Sequence, residues 1–296
     1  MLESPNTTIH CVASILDAVL LPCTIGCRRL SCASKSGAMA RAAGRSTARS
    51  RVTDTGSELR VTYSSSDVAS LPEEKELRTE VSNSALVFEG NDYVDCGNGI
   101  DLVHKSFTIE FWAKRGDTGR SQAFLRQSEN RRPTRNHGLH MGFRTNNQYC
   151  IAFWGDNLDT QTPYTDRDWH HWAGTYDHQT KRQRLYCDSE PAVEPRTATD
   201  DCLATGPFLI GSGYNPQNMF KGTMAEVRIW DHVRGEAELK ADMHRRLTGH
   251  EPGLVAYWPL NEGTGDTVSD KSGNGHHGTI HDATWQDDAT SALFKG

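Results

Sequence analysis

Aromatic side chains are nearly absent from the first part of this chain. The sequence of 296 residues holds seven tryptophans, eight tyrosines and nine phenylalanines, yet the first 83 residues contain only Tyr63. Large aromatic side chains supply much of the buried area of a core, so we expect no sizeable core in this segment. The folded unit is predicted to cover residues 84–296. All seven tryptophans lie in it, at positions 112, 154, 169, 172, 230, 258 and 285.

The leader also lacks acidic residues over a long stretch. Between Asp17 and Asp54 it has none, but it has seven arginines and lysines among serine, alanine and glycine. This composition is typical of an organellar transit peptide. The apolar patch at 13–22 is too short to span a bilayer, and it precedes the positive charges, unlike the apolar region of a secretory signal. Residues 1–83 are therefore predicted to be a disordered leader and linker or a targeting segment. A secreted and an organellar destination both stay open.

The predicted folded unit has fewer basic than acidic side chains. From residue 84 onward there are 22 basic and 29 acidic side chains, a balance of −7. Binding to nucleic acid phosphates depends on clustered lysines and arginines. Nucleic acid is therefore excluded as the expected partner of this unit, and no segment of the chain is predicted to span a membrane.

Cysteine pairs of the Cys-x-x-Cys type, which mark many zinc sites, are not found. The spacing of the eight cysteines matches no such site. It favours buried free thiols, which behave as small apolar groups, or one or two disulfides if the protein is exported. The cysteines are at 11, 23, 27, 32, 96, 150, 187 and 202.

The folded unit does contain many short strands separated by turn residues. Phe107–Trp112 alternates with period two, so that Thr108, Glu110 and Trp112 share one face. The aromatic run Trp169–Asp177 predicts a strand, which forms a hairpin with residues 185–188. Further strands are predicted at 85–88, 93–96, 138–143, 149–154, 208–210, 222–230 and 254–258.

One helix is predicted over residues 236–247. Leu239, Met243 and Leu247 recur there at intervals of four, and Gly249 follows as a terminator. Many short strands with one short helix in the C-terminal third favour an all-β fold over an α/β enzyme. The predicted architecture is a two-sheet antiparallel β-sandwich.

Six motifs carry a resemblance to a known family. They occur in the order and spacing of the LamG-like jelly-roll domains (laminin G type 3), which belong to the concanavalin A-like lectin/glucanase superfamily. The resemblance covers residues 84–290 and implies a jelly roll, but this fold serves lectins, adhesion modules and hydrolases alike. Two positions depart from the family pattern, because Ser189 and Ala225 stand where glycine and aspartate are common. The motifs are ALVFEGNDYVD (85–95), FTIEFW (107–112), WHHWAGTYD (169–177), AEVRIW (225–230), GLVAYWPLNEG (253–263) and DKSGNGHHG (270–278).

Catalytic signatures are missing. The resemblance would imply a Glu-x-Asp-x-Glu strand for a β-glucanase, which places three carboxyl groups in one cleft. No such triplet occurs over 89–262, because the interval between Glu190 and Glu194 has alanine at its centre. There is no Ser/His/Asp signature and no phosphate-binding loop. His170 and His171 point to opposite faces of their strand and cannot bind one ion together. A non-enzyme is predicted.

Calcium is the cofactor that the sequence suggests. Asp270, Ser272 and Asn274 place oxygen atoms at positions one, three and five of a loop, with glycine at six. This pattern is the first half of a calcium loop. His281 at position twelve excludes an EF-hand, but Asp92 could complete the shell, since jelly-roll termini often pair. The alternative is that Asp270 and Asn274 make Asx turns in a glycine-rich loop.

Sugar binding points to aromatic residues on loops, where an apolar ring face can stack on a pyranose. Nearby carboxylates and amides supply hydrogen bonds. The alternative is that Trp154 is a core residue and that the tyrosines cover the edge of the sandwich. Glu110 and Arg228 are interpreted as a structural cross-strand ion pair. The predicted ligand-binding residues are Trp154, Asp156, Asn157, Tyr164, Tyr214 and Asn215.

The leading hypothesis is a non-catalytic module that binds glycans or glycosylated or protein partners, with calcium as an organiser of a loop. The alternative is a protein-interaction or adhesion domain without sugar specificity. A divergent glycoside hydrolase is the third reading. It requires two carboxyl groups about 5 Å or about 6.5–9.5 Å apart in a cleft.

Overall fold

The computed structural model describes residues 51–54, 59–62 and 82–294. The chain divides into two compact units, residues 1–80 and 81–296. In the first, β1 (Arg51–Asp54) and β2 (Leu59–Thr62) form an antiparallel hairpin. This hairpin lies within the predicted leader, whereas the predicted targeting segment lies outside the described residues.

Residues 82–294 form two antiparallel sheets, and this β-sandwich confirms the predicted fold class. Sheet I has nine strands and sheet II has eight. Sheet I contains β3 (Ala85–Glu89), β5 (Phe107–Arg115), β10 (His170–Asp177), β11 (Arg182–Cys187), β12 (Glu190–Pro191), β13 (Arg196–Thr197), β15 (Lys221–Trp230), β16 (Leu254–Trp258) and β19 (Thr284–Gln286). Sheet II contains β4 (Tyr93–Asp95), β6 (Gln122–Gln127), β7 (Leu139–Phe143), β8 (Tyr149–Ala152), β9 (Asn157–Asp159), β14 (Phe208–Ile210), β17 (Thr267–Val268) and β18 (Gly278–His281).

The strand order of each sheet differs from the order of the strands along the chain. Sheet I runs β12-β11-β10-β5-β15-β3-β19, with β13 added to β11 and β16 added to β15. Sheet II runs β17-β18-β4-β14-β6-β7-β8-β9. The predicted hairpin β10–β11 is confirmed, and the predicted strands β7 and β8 also pair as a hairpin.

The core lies between the two sheets. The alternation of β5 is confirmed, because Ile109 and Phe111 point into the core whereas Glu110 lies on the other face. Trp172 of β10 is fully buried, with its ring 5.2 Å from that of Phe143 and 4.6 Å from that of Tyr149. The cysteines of the described part form no disulfide and are Cys96, Cys150, Cys187 and Cys202.

The helix, α1 (Glu236–Asp242), ends five residues earlier than predicted. Leu239 packs against strands β10 and β11, whereas Leu247 packs against Trp230 and Leu254. The two leucines thus belong to separate apolar clusters, so their spacing does not mark one helical stripe. Trp112 donates a hydrogen bond to the carbonyl of Met243 and fixes the chain where it leaves the helix. Among the described residues, no helix combines the length and the apolar character needed to cross a bilayer.

Candidate functional site

The outer face of sheet I is closed by α1, its flanking loops and a buried network of charges. Arg228 donates to Glu226 at 2.9 Å, and Arg234 donates to Glu110 at 2.7 Å. All four side chains are at most 5% exposed. The predicted pair Glu110–Arg228 is confirmed, with 3.7 Å between Oε1 and Nη1. Because each glutamate is enclosed and bound to an arginine, neither can reach a substrate.

The outer face of sheet II lies on the opposite side of the sandwich from α1, which packs on sheet I. Arg126, His140, Ala152 and Asn157 are register partners across β6, β7, β8 and β9. Their side chains point away from the core because the adjacent row of partners lies in it. That inner row is Leu125, Met141, Ile151 and Leu158.

Trp154 and Tyr214 meet on this outer face. Their rings are 4.5 Å apart at an angle of 64°. Tyr214 is buried, and its hydroxyl donates to the carbonyl of Leu139 at 3.1 Å. Trp154 is half-buried and has a left-handed backbone, with φ of +55°. The buried tyrosine therefore supports an indole ring that is partly open to solvent.

A small recess adjoins the two rings. Its volume is about 100 Å³, and His140, Arg144 and Asn218 line it together with Trp154 and Tyr214. Pockets that enclose a whole small molecule are usually about 300–1,000 Å³. This face is therefore a shallow platform with room in the recess for a substituent.

Arg126 is a buried cation on this face. It is 7% exposed, and its guanidinium lies 5.4 Å from the centre of the Tyr214 ring. Its hydrogen bonds are long, at 3.4 Å to the Ser212 hydroxyl and 3.4 Å to the Ser128 carbonyl. Burial lowers the pKa of Arg126. No carboxylate of the described residues forms an ion pair with it, and it is not one of the predicted ligand-binding residues.

The predicted residues Asp156 and Asn157 hold neighbouring loops. The carboxylate of Asp156 is fully buried, accepts hydrogen bonds from Thr199 and from the amide of Asp200, and pairs with Arg196 at 2.8 Å. Arg196 also donates to the carbonyl of Asn157 at 2.8 Å. All of these hydrogen bonds go to Oδ2, whereas Oδ1 has the ion pair with Arg196 but accepts no hydrogen bond. Because both oxygens are buried, the carboxylate is not open to a ligand.

Tyr164 and Asn215 are separated by the fold. The ring of Tyr164 packs edge-on against the buried Trp172 at 5.0 Å, and burial raises its pKa to about 12. Asn215 is exposed beside Tyr214 and caps a short 3-10 helix, Pro216–Asn218. Of the six predicted ligand residues, the structure thus brings Trp154, Tyr214 and Asn215 to one region of sheet II. It places Tyr164 against the core.

The predicted calcium loop is closed by its own hydrogen bonds. The carboxylate of Asp270 accepts from the amides of Tyr257, Ser272 and His276 at 2.9–3.0 Å, and also from the Ser272 hydroxyl at 2.9 Å. Although burial alone would raise the pKa of Asp270, these hydrogen bonds lower it. The side-chain nitrogen of Asn274 donates to the carbonyl of Val255 at 2.9 Å. The bond from the Ser272 amide is that of an Asx turn.

Asp92 does not join this loop. It precedes β4, where its carboxylate accepts from the amides of Glu89 and Gly90. Asp270 instead bonds the amide of His276, which precedes β18. Because β4 and β18 are antiparallel, the starts of the two strands lie at opposite ends of the pair.

Two clusters hold side chains of the types that bind transition metals. In the first, Asp201 bridges two histidines, at 2.8 Å from Nδ1 of His104 and 3.1 Å from Nδ1 of His178. Tyr176 donates to the same carboxylate at 2.7 Å. Burial raises the pKa of Asp201, but the hydrogen bonds from Tyr176 and the histidines outweigh it and hold the pKa at about 2. The carboxylate is thus satisfied by hydrogen bonds alone.

The second cluster surrounds His170. Nδ1 of this ring lies 2.6 Å from Asp188 and 3.7 Å from the sulfur of Cys187, and Nε2 lies 2.9 Å from Asp166. The hydrogen bonds to Asp188 and Cys187 raise the pKa of His170 to about 11. The ring is therefore a cation held between two carboxylates. His171 points to the other face, as predicted, and contacts Trp112.

A larger groove lies at the edge of sheet I, where none of the predicted residues is found. Its volume is about 380 Å³. The side chains that line it are mixed in character: Arg184, Leu185, Tyr186, Pro191, Ala192, Val193, Glu194, Pro195 and Glu236.

Two antiparallel sheets packed face to face, with one short helix, place the described residues 82–294 in the class of jelly-roll β-sandwiches. The chain belongs to the concanavalin A-like lectin/glucanases superfamily, because the laminin G type 3 model of that superfamily matches residues 88–240. The predicted family is thus confirmed. No curated protein matches the sequence.

Solved structures are similar to this chain to different degrees. One is a candidate carbohydrate-binding protein from Bacteroides ovatus, with 20% identity and a TM-score of 0.56 over 79% of this chain. The match spans 65% of that protein. Domain 4 of an extracellular arabinanase from Geobacillus stearothermophilus, solved with arabinotriose, has 14% identity and a TM-score of 0.43, covering 53% of this chain and 75% of its own. CBM40 of the Ruminococcus gnavus IT-sialidase has 13% identity and a TM-score of 0.43. The match covers 54% of this chain and 98% of the CBM40 chain.

Proposed function

We propose that the β-sandwich is a non-catalytic glycan-binding module and that the outer face of sheet II is its binding surface. The observation that carries this proposal is the half-exposed ring of Trp154, supported from below by Tyr214. An indole that is held rigidly at the surface loses little conformational freedom when an apolar sugar face stacks on it. His140 and Asn218 beside it can exchange hydrogen bonds with sugar hydroxyls. The description of the Bacteroides ovatus structure is in line with this function.

The proposed module is non-catalytic because its buried glutamates are paired with arginines. Hydrolysis of a glycosidic bond uses two carboxyl groups that flank the substrate. Glu110 and Glu226 lie under α1 and are paired with Arg234 and Arg228. Two carboxyl groups, those of Glu194 and Glu236, do line the larger groove. The binding experiment therefore includes a measurement of glycan hydrolysis.

A glycan array followed by calorimetric titration tests the function. We expect at least one saccharide to bind, and Trp154→Ala to weaken that binding about tenfold, which corresponds to about 1.4 kcal/mol. Trp285→Ala is the matched control, since Trp285 is also half-buried but lies in β19 of sheet I. Chromatography of the bound saccharide should show no cleavage. A folded protein that binds no saccharide on the array would refute the proposal.

The second candidate is a protein-interaction module without sugar specificity. The groove at the edge of sheet I supports it, because leucine, tyrosine, valine, alanine and two prolines line that groove. Its outcome in the same experiment is distinct. No saccharide would bind on the array. Val193→Asp would abolish capture of a protein partner, whereas Trp154→Ala would not.

Calcium as a loop organiser stays a prediction. The oxygen atoms of Asp270, Ser272 and Asn274 lie in one loop, as the sequence suggests, and Asp92 does not belong to it. A calcium ion at this loop would have to compete with the protein donors that Asp270 already has.

A further inference from the structure

We propose that the glycan bound on sheet II is anionic and that Arg126 binds its charged group. This inference rests on the proposed function, because it names the chemical class of ligand for the same surface. The observation behind it is a buried guanidinium without an anionic partner on an otherwise acidic domain.

The burial of Arg126 demands a partner that the described residues do not supply. A buried charge is costly unless it is paired and hydrogen-bonded. Of the five N–H donors of a guanidinium, only Nε and Nη1 of Arg126 make hydrogen bonds, and both are long. Nη2 has no partner among the described residues, yet it is not among the nitrogens that are sealed from solvent without one. Nη2 therefore keeps some contact with solvent, and it is the atom that we propose for the contact with an anion.

The local charge also differs from that of the whole domain. The ten residues 126–135 contain four arginines and a single acid, Glu129, whereas the domain from residue 84 carries −7. Arg131, Arg132 and Arg135 are exposed. The acid in the same row of sheet II is Asp95, which is two strands from Arg126 through Leu209. The charge of Asp95 favours the charged form of Arg126 and opposes the lowering of its pKa by burial, but among the described residues Asp95 makes no hydrogen bond or ion pair with the guanidinium.

The cation and the aromatic platform are close enough to serve one ligand. Both groups are near the Tyr214 ring, at 5.4 Å for the Arg126 guanidinium and 4.5 Å for the Trp154 ring, so they are at most about 10 Å apart. A mono- or disaccharide that stacks on Trp154 can extend a carboxylate or a sulfate to Arg126. Guanidinium binds either group through paired hydrogen bonds.

Pairs of oligosaccharides that differ only in charge test the inference. Oligogalacturonate and its methyl ester report on carboxylates, and a sulfated oligosaccharide and its desulfated form report on sulfates. We expect about tenfold tighter binding of the charged member of at least one pair, decreasing with added salt because the interaction is partly solvent-exposed. Arg126→Gln should remove this preference, so that the charged and the neutral member of each pair bind to the variant with equal affinity. Arg167→Gln, at an exposed arginine outside sheet II, should retain the preference.

The outcomes separate the two proposals. If charged and neutral members bind equally to the wild-type protein, the anionic inference is overturned and the glycan-binding function stands. If no oligosaccharide binds to the folded protein, both are overturned. Arg126→Lys is the second variant, because it keeps the charge but loses the planar fork, and we expect an intermediate preference. Thermal melts of the wild-type protein with each pair give the same comparison without any variant.

Discussion

Arg228 of β15 and Glu110 of β5 are direct register partners across sheet I, with 3.7 Å between Nη1 and Oε1, and neither is exposed to solvent. Arg228 also donates to the carbonyl oxygens of Asp242 and Arg245, at the end of α1 and just beyond it. The same arginine thus joins the centre of the sheet to the segment that covers it. Glu226 also forms an ion pair with Arg228, with 2.9 Å between Oε2 and Nη2.

Removal of one partner from this buried network should destabilise the protein strongly. We expect Glu110→Ala to lower the free energy of unfolding by about 3–5 kcal/mol, because it leaves buried arginine charge with less compensation. Urea denaturation measures the change. Lys105→Ala removes an exposed pair with Asp101 and should change stability by at most about 0.5 kcal/mol. Equal effects of the two substitutions would contradict the role of the network.

His170 should make stability depend on pH. Its hydrogen bonds to Asp188 and Cys187 raise its pKa to about 11, so its contribution is complete below the ordinary pKa of about 6.5. That contribution is lost as the pH rises from about 6.5 to about 11. We expect His170→Gln to cost about 2 kcal/mol at pH 6, as for hydrogen bonds to charged groups. The difference in the free energy of unfolding between this variant and the wild-type protein should be smaller at pH 9.5 than at pH 6. A difference that does not change with pH would contradict a charged His170 ring.

Two glycines in buried strands should respond differently to a methyl group. A Cβ on Gly142 would lie 2.2 Å from the carbonyl oxygen of Gln122, where β6 has a bulge. A Cβ on Gly174 would meet the flexible end of Met141 at 2.8 Å. Overpacking costs about 1–3 kcal/mol, and we expect Gly142→Ala to exceed this range and Gly174→Ala to stay within it. Thermal unfolding of both variants shows which substitution is more destabilising. A larger loss for Gly174→Ala would show that the backbone of β6 shifts more easily than the core side chains.

Calcium binding is tested by thermal melts with calcium in excess and with a chelator. The sequence pattern predicts a higher Tm with calcium, because an ion that binds only the folded state stabilises it. Asp270→Asn should abolish that rise, although it also lowers the Tm in chelator by weakening the hydrogen bonds of the loop. An unchanged Tm of the wild-type protein would show that the donors around Asp270 suffice without an ion.

Local patterns were enough to predict the sandwich. The period-two alternation of Phe107–Trp112 and the aromatic run at 169–177 depend only on which residues can face a core, and both strands form as predicted. The helix was predicted too long because Leu239 and Leu247 repeat with a helical period but pack into different clusters. A repeat in sequence does not show which surface each side chain meets.

The site could be predicted only in part. The sequence shows Trp154 and Tyr214 as loop aromatics beside polar residues, and the two do contact each other. Asp156 meets the same sequence criterion, yet the 196–200 loop binds its carboxylate. Arg126 is one of four arginines within ten residues, which is a visible signal in an acidic domain, but its lack of an anionic partner depends on residues distant in sequence.

The sequence by itself determined the strands, the sandwich and the family, because burial preferences and turn residues act within a few positions along the chain. Only the tertiary structure decided which face is available to a ligand. The pairing of β6, β7, β8 and β14 brings Arg126, Trp154 and Tyr214 together, and the packing of α1 seals Glu110 and Arg228. The physical reason is that exposure and charge pairing depend on contacts between segments that are far apart in sequence.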